Sequence, residues 1–308
     1  MTYRANLLFY LYLILIISFQ ACAQDEKKKE TPSAPEKELF KSEYYTDSLF
    51  SIGIEGPYFF KGNLYTVNFQ KKGNIAVVRP GGKVELFVDL PEGSVGNGIR
   101  FNKKGEMLVA DYTKHNVLLI DMETKEVKVF AHDDKMNQPN DIAINDKGIL
   151  FTADPDWKHS TGKLWKIDGS GKSFLLEKNM GTTNGIELSP DNRKLYVNES
   201  VQRNVWVYDV DSTGNISGKR LFYKFSDFGM DGMRVDVKGN LYITRYGKGV
   251  IAVLSPEGKL VREIKLRGKK PTNLAFGGSD GKRVFVTMQD KRRIEAFEND
   301  IEGKEWSK

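Results

Sequence analysis

The sequence predicts an all-β protein: a six-bladed β-propeller with four antiparallel strands per blade and a ring closed by an N-terminal strand. Three observations carry this prediction. First, six segments repeat one pattern: Ile54-Glu55-Gly56-Pro57, Gly96-Asn97-Gly98-Ile99, Pro139-Asn140-Asp141-Ile142, Thr183-Asn184-Gly185-Ile186, Met230-Asp231-Gly232-Met233 and Thr272-Asn273-Leu274-Ala275. Their polar residues fall at 55, 97, 140, 184, 231 and 273, at steps of 42 to 47 residues, the spacing of a repeat architecture. Second, each unit divides into short β-favouring runs separated by turn residues. In the fourth unit these are Gly185–Ser189, Lys194–Glu199, Asn204–Val210 and Arg220–Phe225, with Ser189-Pro190-Asp191-Asn192 and Ser212-Thr213-Gly214-Asn215 between them. Third, nothing after residue 44 holds a helical period. Four antiparallel strands repeated six times make a propeller, whereas a β-solenoid uses shorter repeats and needs capped ends.

Closure of the ring is read from the last unit. It supplies Asn273–Phe276, Arg283–Met288 and Ile294–Phe297 before the chain becomes charged and ends, so it is one strand short. Ser48–Ile52, ahead of the first repeat, is expected to supply the missing strand and remove two open sheet edges. The propeller is placed at 44–300, followed by a C-terminal tail at 301–308.

The first 43 residues have a different character. Arg4 precedes the apolar run Leu7–Phe19, which is too short for a bilayer core that needs about 20 residues. A basic start, a short apolar middle and a small residue at the junction describe a secretory signal peptide, here 1–21. An uncleaved anchor helix is the alternative. Cys22, the only cysteine, follows Ala21 and resembles the acylated cysteine of a bacterial lipoprotein, although Phe19 and Gln20 depart from the usual lipobox. Residues 22–43 are charged, with two prolines, and read as a tether. The expectation is a lipid-anchored envelope protein, with Ala23 pointing to outer-membrane sorting and the membrane engaged only through the anchor.

Composition excludes several classes. Of 308 residues 40% are hydrophobic and 11% aromatic, too many for a disordered or collagen-like chain. One cysteine allows no intramolecular disulfide and no cysteine-rich zinc module. The net charge of +6 is small and scattered, which argues against nucleic acid as a partner. A small-molecule substrate and a monomer are expected.

The phase of the repeats locates a candidate site. Each unit opens on its innermost strand, so Glu55, Asn97, Asn140, Asn184, Asp231 and Asn273 point toward one axis. All six bear oxygen and two are carboxylates, a donor set that suits Ca²⁺, Mg²⁺ less well and Zn²⁺ poorly. Asn-Gly and Asp-Gly are also turn signals, and four of the six positions fit that alternative. Glu55 has no such turn preference.

At these residues the chain resembles a family, that of gluconolactonase, regucalcin (senescence marker protein) and luciferin-regenerating enzyme. The resemblance rests on Glu55-Gly56-Pro57, Pro139-Asn140-Asp141, Thr183-Asn184-Gly185, Met230-Asp231-Gly232, the run Gly148–Pro155, and Asn273–Asp280 followed by Val284–Thr287. It covers about residues 50–300. It implies a six-bladed propeller with one divalent cation, usually Ca²⁺, at the channel mouth. Carried over by motif, Glu55, Asn184 and Asp231 are metal ligands, and Asn140 is a further ligand or a substrate-orienting amide.

The activity implied is hydrolysis of lactone-type esters. The cation polarises the carbonyl, and Asp231 is the candidate catalytic base for the attacking water. Asn97, Gln138, Asn140 and Asp154 are candidates for contacts to substrate. Members that act on sugar lactones often carry Arg where this chain has Gln138, which removes a bidentate grip on hydroxyls and points away from sugars. Asp154, Asp156, Trp157 and His159 could line the pocket or simply be solvated loop residues. A non-enzymatic envelope propeller and a strictosidine-synthase-like enzyme are the competing functions.

Two further motifs fail on inspection. Gly169-Ser170-Gly171-Lys172-Ser173 has Lys166 where a phosphate-binding loop requires glycine, and no helix follows. Asp209–Gly214 opens like a calcium-binding loop, but its twelfth position is Arg220 rather than Glu.

Overall fold

The structure, a computed structural model, describes residues 38–307. The signal segment, Cys22 and most of the tether lie outside the described residues. Among the described residues, twenty-four strands form six four-stranded antiparallel sheets, one per blade. The innermost strands, in chain order, are Phe50–Phe60, Gly96–Phe101, Ile142–Ile144, Thr183–Leu188, Met233–Val235 and Pro271–Gly277. The first five blades each use four consecutive strands. In the fourth blade these are Thr183–Leu188, Lys194–Glu199, Asn204–Val210 and Ile216–Lys224, close to the runs read from the sequence.

The core lies in the wedges between adjacent blades. Alternation along each strand sends one set of apolar side chains to each neighbour. Tyr65, Val67, Ile75 and Val77 of the first blade pack with Ile99, Met107, Val109 and Leu118 of the second. Phe50, Ile54 and Leu64 meet Ala275, Phe285 and Ile294 of the sixth, closing the circle. Each such aliphatic or aromatic side chain contributes about 1.5–3 kcal/mol when fully buried.

An N-terminal strand does close the ring, but Ser48–Ile52 is not that strand. Glu43–Tyr44 pairs with the last strand, Arg293–Glu298, at Ala296 and Glu295. Leu39 adds a parallel bridge to Glu298, and Ser42 Oγ donates to Glu295 Oε2 at 2.7 Å. The end of the expected tether therefore belongs to the sixth blade. Residues 50–52 instead begin the innermost strand of the first blade, where Phe50 faces Phe69. That strand runs eleven residues because register shifts on either side of Glu55 absorb its curvature.

The C-terminal residues do not leave the fold as a tail. Val237 N donates to Glu302 O at 3.1 Å, Asp236 pairs with Gly303, and a short 3₁₀ turn follows at Lys304–Ser307. Lys304 is buried, and its Nζ donates to Leu188 O at 2.8 Å and to Glu187 Oε1.

Candidate functional site

The inner strands lose their regularity at the repeated polar position. Register shifts fall at Glu55 to Tyr58, Gly96 to Ile99, Thr183 to Ile186 and Pro271 to Asn273. In the other two blades pairing begins only at Ile142 and Met233, two residues after Asn140 and Asp231. Such irregularities re-aim a side chain that a regular ladder would direct elsewhere. Glycine after the polar residue serves close approach. A Cβ at Gly56, where φ is +56°, would lie 1.9 Å from Asn97 O, and one at Gly232 would lie 2.0 Å from Asn273 Cγ. The turn alternative does not describe Asn97-Gly98 or Asn184-Gly185, which lie inside strands.

Glu55, Asn184, Asp231 and Asn273 come together. Gly56 N donates to Glu55 Oε2 at 2.7 Å. The Asn273 amide lies close enough to the Glu55 carboxyl to lower its pKa, the Asn184 amide does the same for Asp231, and the Glu55 carboxyl raises that of Asp231. Burial pushes the Glu55 carboxyl up to about 7 against the pull of the Gly56 N–H, with the Asp141 charge adding to the rise. Asp231 is held well above the usual carboxylate range by burial and then by the charge of Glu55. Asn184 Oδ1 and Asn97 Oδ1 are buried without a partner. A buried acceptor left unpaired costs about 1–3 kcal/mol.

Among the described residues no three His, Cys, Asp or Glu side chains cluster as a ligand set. The donors here are two carboxylates plus amide oxygens. Two facing carboxyls that resist ionising together and an orphaned Asn184 Oδ1 fit a hard divalent cation, which would satisfy the amide and relieve the carboxyl repulsion together.

Three residues further along the inner strands lies a second charged layer that the sequence reading missed. Asp141, beside Asn140, is 3.3 Å from Arg234 Nη1 and 3.6 Å from Arg100 Nη1. Arg100 Nη2 lies 3.3 Å from Glu187 Oε2, and Glu187 also receives Lys304. Glu305 lies 3.9 Å from Arg234 Nε. Three carboxylates face three cations, so this layer balances. Its cations, Lys304 and then Arg100, draw the Glu187 carboxyl down to about 2 despite its burial. The sequence signal was the same repeat phase moved on by three, which selects Arg100, Glu187 and Arg234. A cavity of about 1170 Å³ at this end of the channel includes Tyr58, Phe101, Arg100, Glu187 and Lys304 in its lining, and neither Glu55 nor Asp231.

The remaining expected site residues divide. Asn140 is buried beside the pair's layer. Its N–H donates to Ala153 O and its carbonyl accepts from Gly98 N, both at 2.9 Å. Asn97 is half-buried. Asp154 is buried, and its carboxylate accepts from Asn137 N at 2.8 Å, Gln138 N at 2.6 Å and Trp165 Nε1 at 2.9 Å. It fixes the backbone that carries Gln138, which is half-buried. His159 is exposed and bonded to Asp156 Oδ2 at 2.7 Å.

Fold and site together define a six-bladed propeller whose channel end holds two carboxylates ringed by amides. The description "SMP-30/Gluconolactonase/LRE-like region" matches residues 54–290, and the chain belongs to that family. It is 27% identical over 215 residues to the gluconolactonase of Zymomonas mobilis, an alignment covering 62% of this chain and 60% of that one. It is 27% identical over 236 residues to regucalcin of Bos taurus, covering 66% and 78% of the two chains. The solved structure of regucalcin from Agrobacterium tumefaciens, described as a calcium-binding protein, superposes with a TM-score of 0.73 at 21% identity, covering 87% of this chain and 95% of that one.

Proposed function

We propose that this protein is a lactonase-type hydrolase that works with a divalent cation, Ca²⁺ by preference, held by Glu55, Asn184 and Asp231 with Asn140 beside them. One observation carries the reading: Glu55 and Asp231 are buried against each other beside the unpaired Asn184 Oδ1, and among the described residues neither forms a salt bridge, Arg234 acting on Glu55 only as a more distant charge. A bound divalent ion would polarise the lactone carbonyl and stabilise the charge that develops on its oxygen. Asp231 accepts a proton from the attacking water as the water oxygen bonds to the acyl carbon. The ring C–O bond then breaks, and the departing alkoxide oxygen takes up the proton. Asn184 orients Asp231 through its amide, and Asn97, Asn140 and Gln138 offer polar contacts to the substrate. Family membership and the gluconolactonase relative support the reaction class. The lipid attachment at Cys22, and with it an envelope location, belongs to the same reading and rests on residues 4–23.

The test is hydrolysis of a lactone panel by the purified full chain, followed by pH-stat, with Ca²⁺ and with chelator. Turnover that chelator abolishes and Ca²⁺ restores is expected. An absence of turnover on every lactone, or turnover indifferent to chelator, would count against the proposal. Asp231→Asn is expected to lower kcat at least a hundredfold.

A further inference from the structure

The channel end that carries Glu55 and Asp231 is rimmed by apolar and aromatic side chains that folding does not explain. The turns after the second strand of each blade reach this end, because those strands finish opposite the start of the inner strand, as Asp111 does opposite Gly96. Tyr112, Trp157, Val201 and Tyr246 follow the ends of those strands in blades two to five. Trp157 is 40% exposed and Val201 55%. Trp157 lies close enough to the Tyr112 hydroxyl to influence its pKa, and Tyr112 lies within electrostatic reach of Asp231.

Phe228 joins them from the loop that leads into Asp231. Its backbone sits at φ +42°, a left-handed conformation that bulky residues avoid, yet the residue is 51% exposed. The conformation is enforced. Arg245 is fully buried, and its Nη2 donates to Asp227 Oδ1 at 2.8 Å, to Asp227 O and to Phe228 O at 3.5 Å. Its Nε reaches Gly229 O at 3.4 Å. The ring rests against Gly247, where an added Cβ would meet it at 3.0 Å. Strain imposed by a buried cation, to hold a large apolar residue half in water three residues before a candidate catalytic carboxylate, marks a ligand contact rather than a core contact.

We infer that this site takes esters or lactones bearing an aromatic or aliphatic group, seated against Phe228, Trp157 and Tyr112, in preference to polyhydroxylated sugar lactones. The inference rests on the hydrolase reading of the same site. It agrees with Gln138, which offers no guanidinium to grip hydroxyls.

The experiment compares kcat/KM of the purified full chain, with Ca²⁺, on dihydrocoumarin, δ-valerolactone and D-glucono-1,5-lactone. Binding of dihydrocoumarin is read in parallel by tryptophan fluorescence against a Trp157→Phe control. Dihydrocoumarin is expected to exceed gluconolactone at least tenfold. Phe228→Asn suits the left-handed backbone, so its melting temperature should not fall. It should nonetheless lower the dihydrocoumarin to δ-valerolactone ratio about tenfold, with Phe228→Leu restoring most of it. A preference for gluconolactone, or an unchanged ratio in Phe228→Asn, overturns the inference. If no lactone is hydrolysed but dihydrocoumarin binds and Phe228→Asn weakens that binding, the apolar seat stands and the hydrolase reading falls. Neither turnover nor binding overturns both.

Discussion

Two layers of the same channel, three residues apart on the same strands, solve the burial of charge in opposite ways. In the deeper layer Asp141, Glu187 and Glu305 face Arg100, Arg234 and Lys304, and the charges cancel within the protein. In the layer at the mouth Glu55 and Asp231 face each other among amides, with Asn184 Oδ1 unpaired. Burial alone would penalise both layers. The difference is that one brings its own cations and the other leaves room for one. Facing carboxyls with no salt-bridge partner among the described residues, rather than burial or cavity size, separate the candidate site from the scaffold beneath it.

The comparison breaks most visibly at Glu187. Glu187→Ala removes the carboxylate that Lys304 and Arg100 share, leaving Arg100 only Asp141 at 3.6 Å among the described residues, and removing one partner of a buried pair costs about 3–5 kcal/mol. Urea unfolding should show that loss, and Glu187→Ala with Lys304→Met should cost less than the two single changes added together. A loss below about 1 kcal/mol would mean that the deeper layer is not balanced as described.

The two layers should also respond to pH with opposite sign when the protein is held in chelator. Glu55 is raised to about 7, so its neutral form favours the folded state. That contribution is complete below about pH 4.5 and is lost as pH rises toward 7, on the order of 3 kcal/mol. Glu187 is lowered to about 2, so its contribution is present above about pH 4.5 and is lost as pH falls through 2. Stability measured from pH 2 to 8 should therefore fall at both ends. Glu55→Gln should flatten the neutral limb and Glu187→Gln the acid limb. A single limb removed by both variants would merge the layers into one unit.

Asn273 sharpens the boundary between them. Its Nδ2 donates to Asp141 Oδ2 at 3.3 Å while its amide also lies close enough to Glu55 to lower that carboxyl's pKa. Asn273→Ala removes an amide bond to the Asp141 carboxylate but no charge, and about 1.5–3 kcal/mol is expected. A thermal shift as large as that of Glu187→Ala would show that the layers are not separable.

Legibility in the sequence followed the reach of each signal. The six units and most strands were readable because alternation and turn residues recur at nearly constant spacing. The mouth layer was readable for the same reason, since Glu55, Asn184, Asp231 and Asn273 share one phase and lie within electrostatic reach of one another. The deeper layer was not, because its phase also holds Tyr58, Ala143 and Phe276, which hide the three charged members. Its third cation comes from Lys304, at the far end of the chain, where no local pattern announces burial. The closing strand escaped because it is two residues long and exposed, so it carries no hydrophobic period. Ser48–Ile52 carried a better pattern because it begins a different buried strand. Asp154 read as a pocket residue, yet its environment depends on Trp165 and on the backbone of 137 and 138, contacts that only folding brings together.

The most direct test of the mouth layer is a melting curve with Ca²⁺ and with chelator, for the wild-type chain and for Glu55→Gln. Calcium at about a hundred times its Kd should stabilise the wild type by about 2.7 kcal/mol, a shift of several degrees in Tm. Glu55→Gln should melt higher than the wild type in chelator at pH 7 and lose most of the calcium shift. A wild-type Tm that does not move with Ca²⁺ or any other divalent cation would contradict the account.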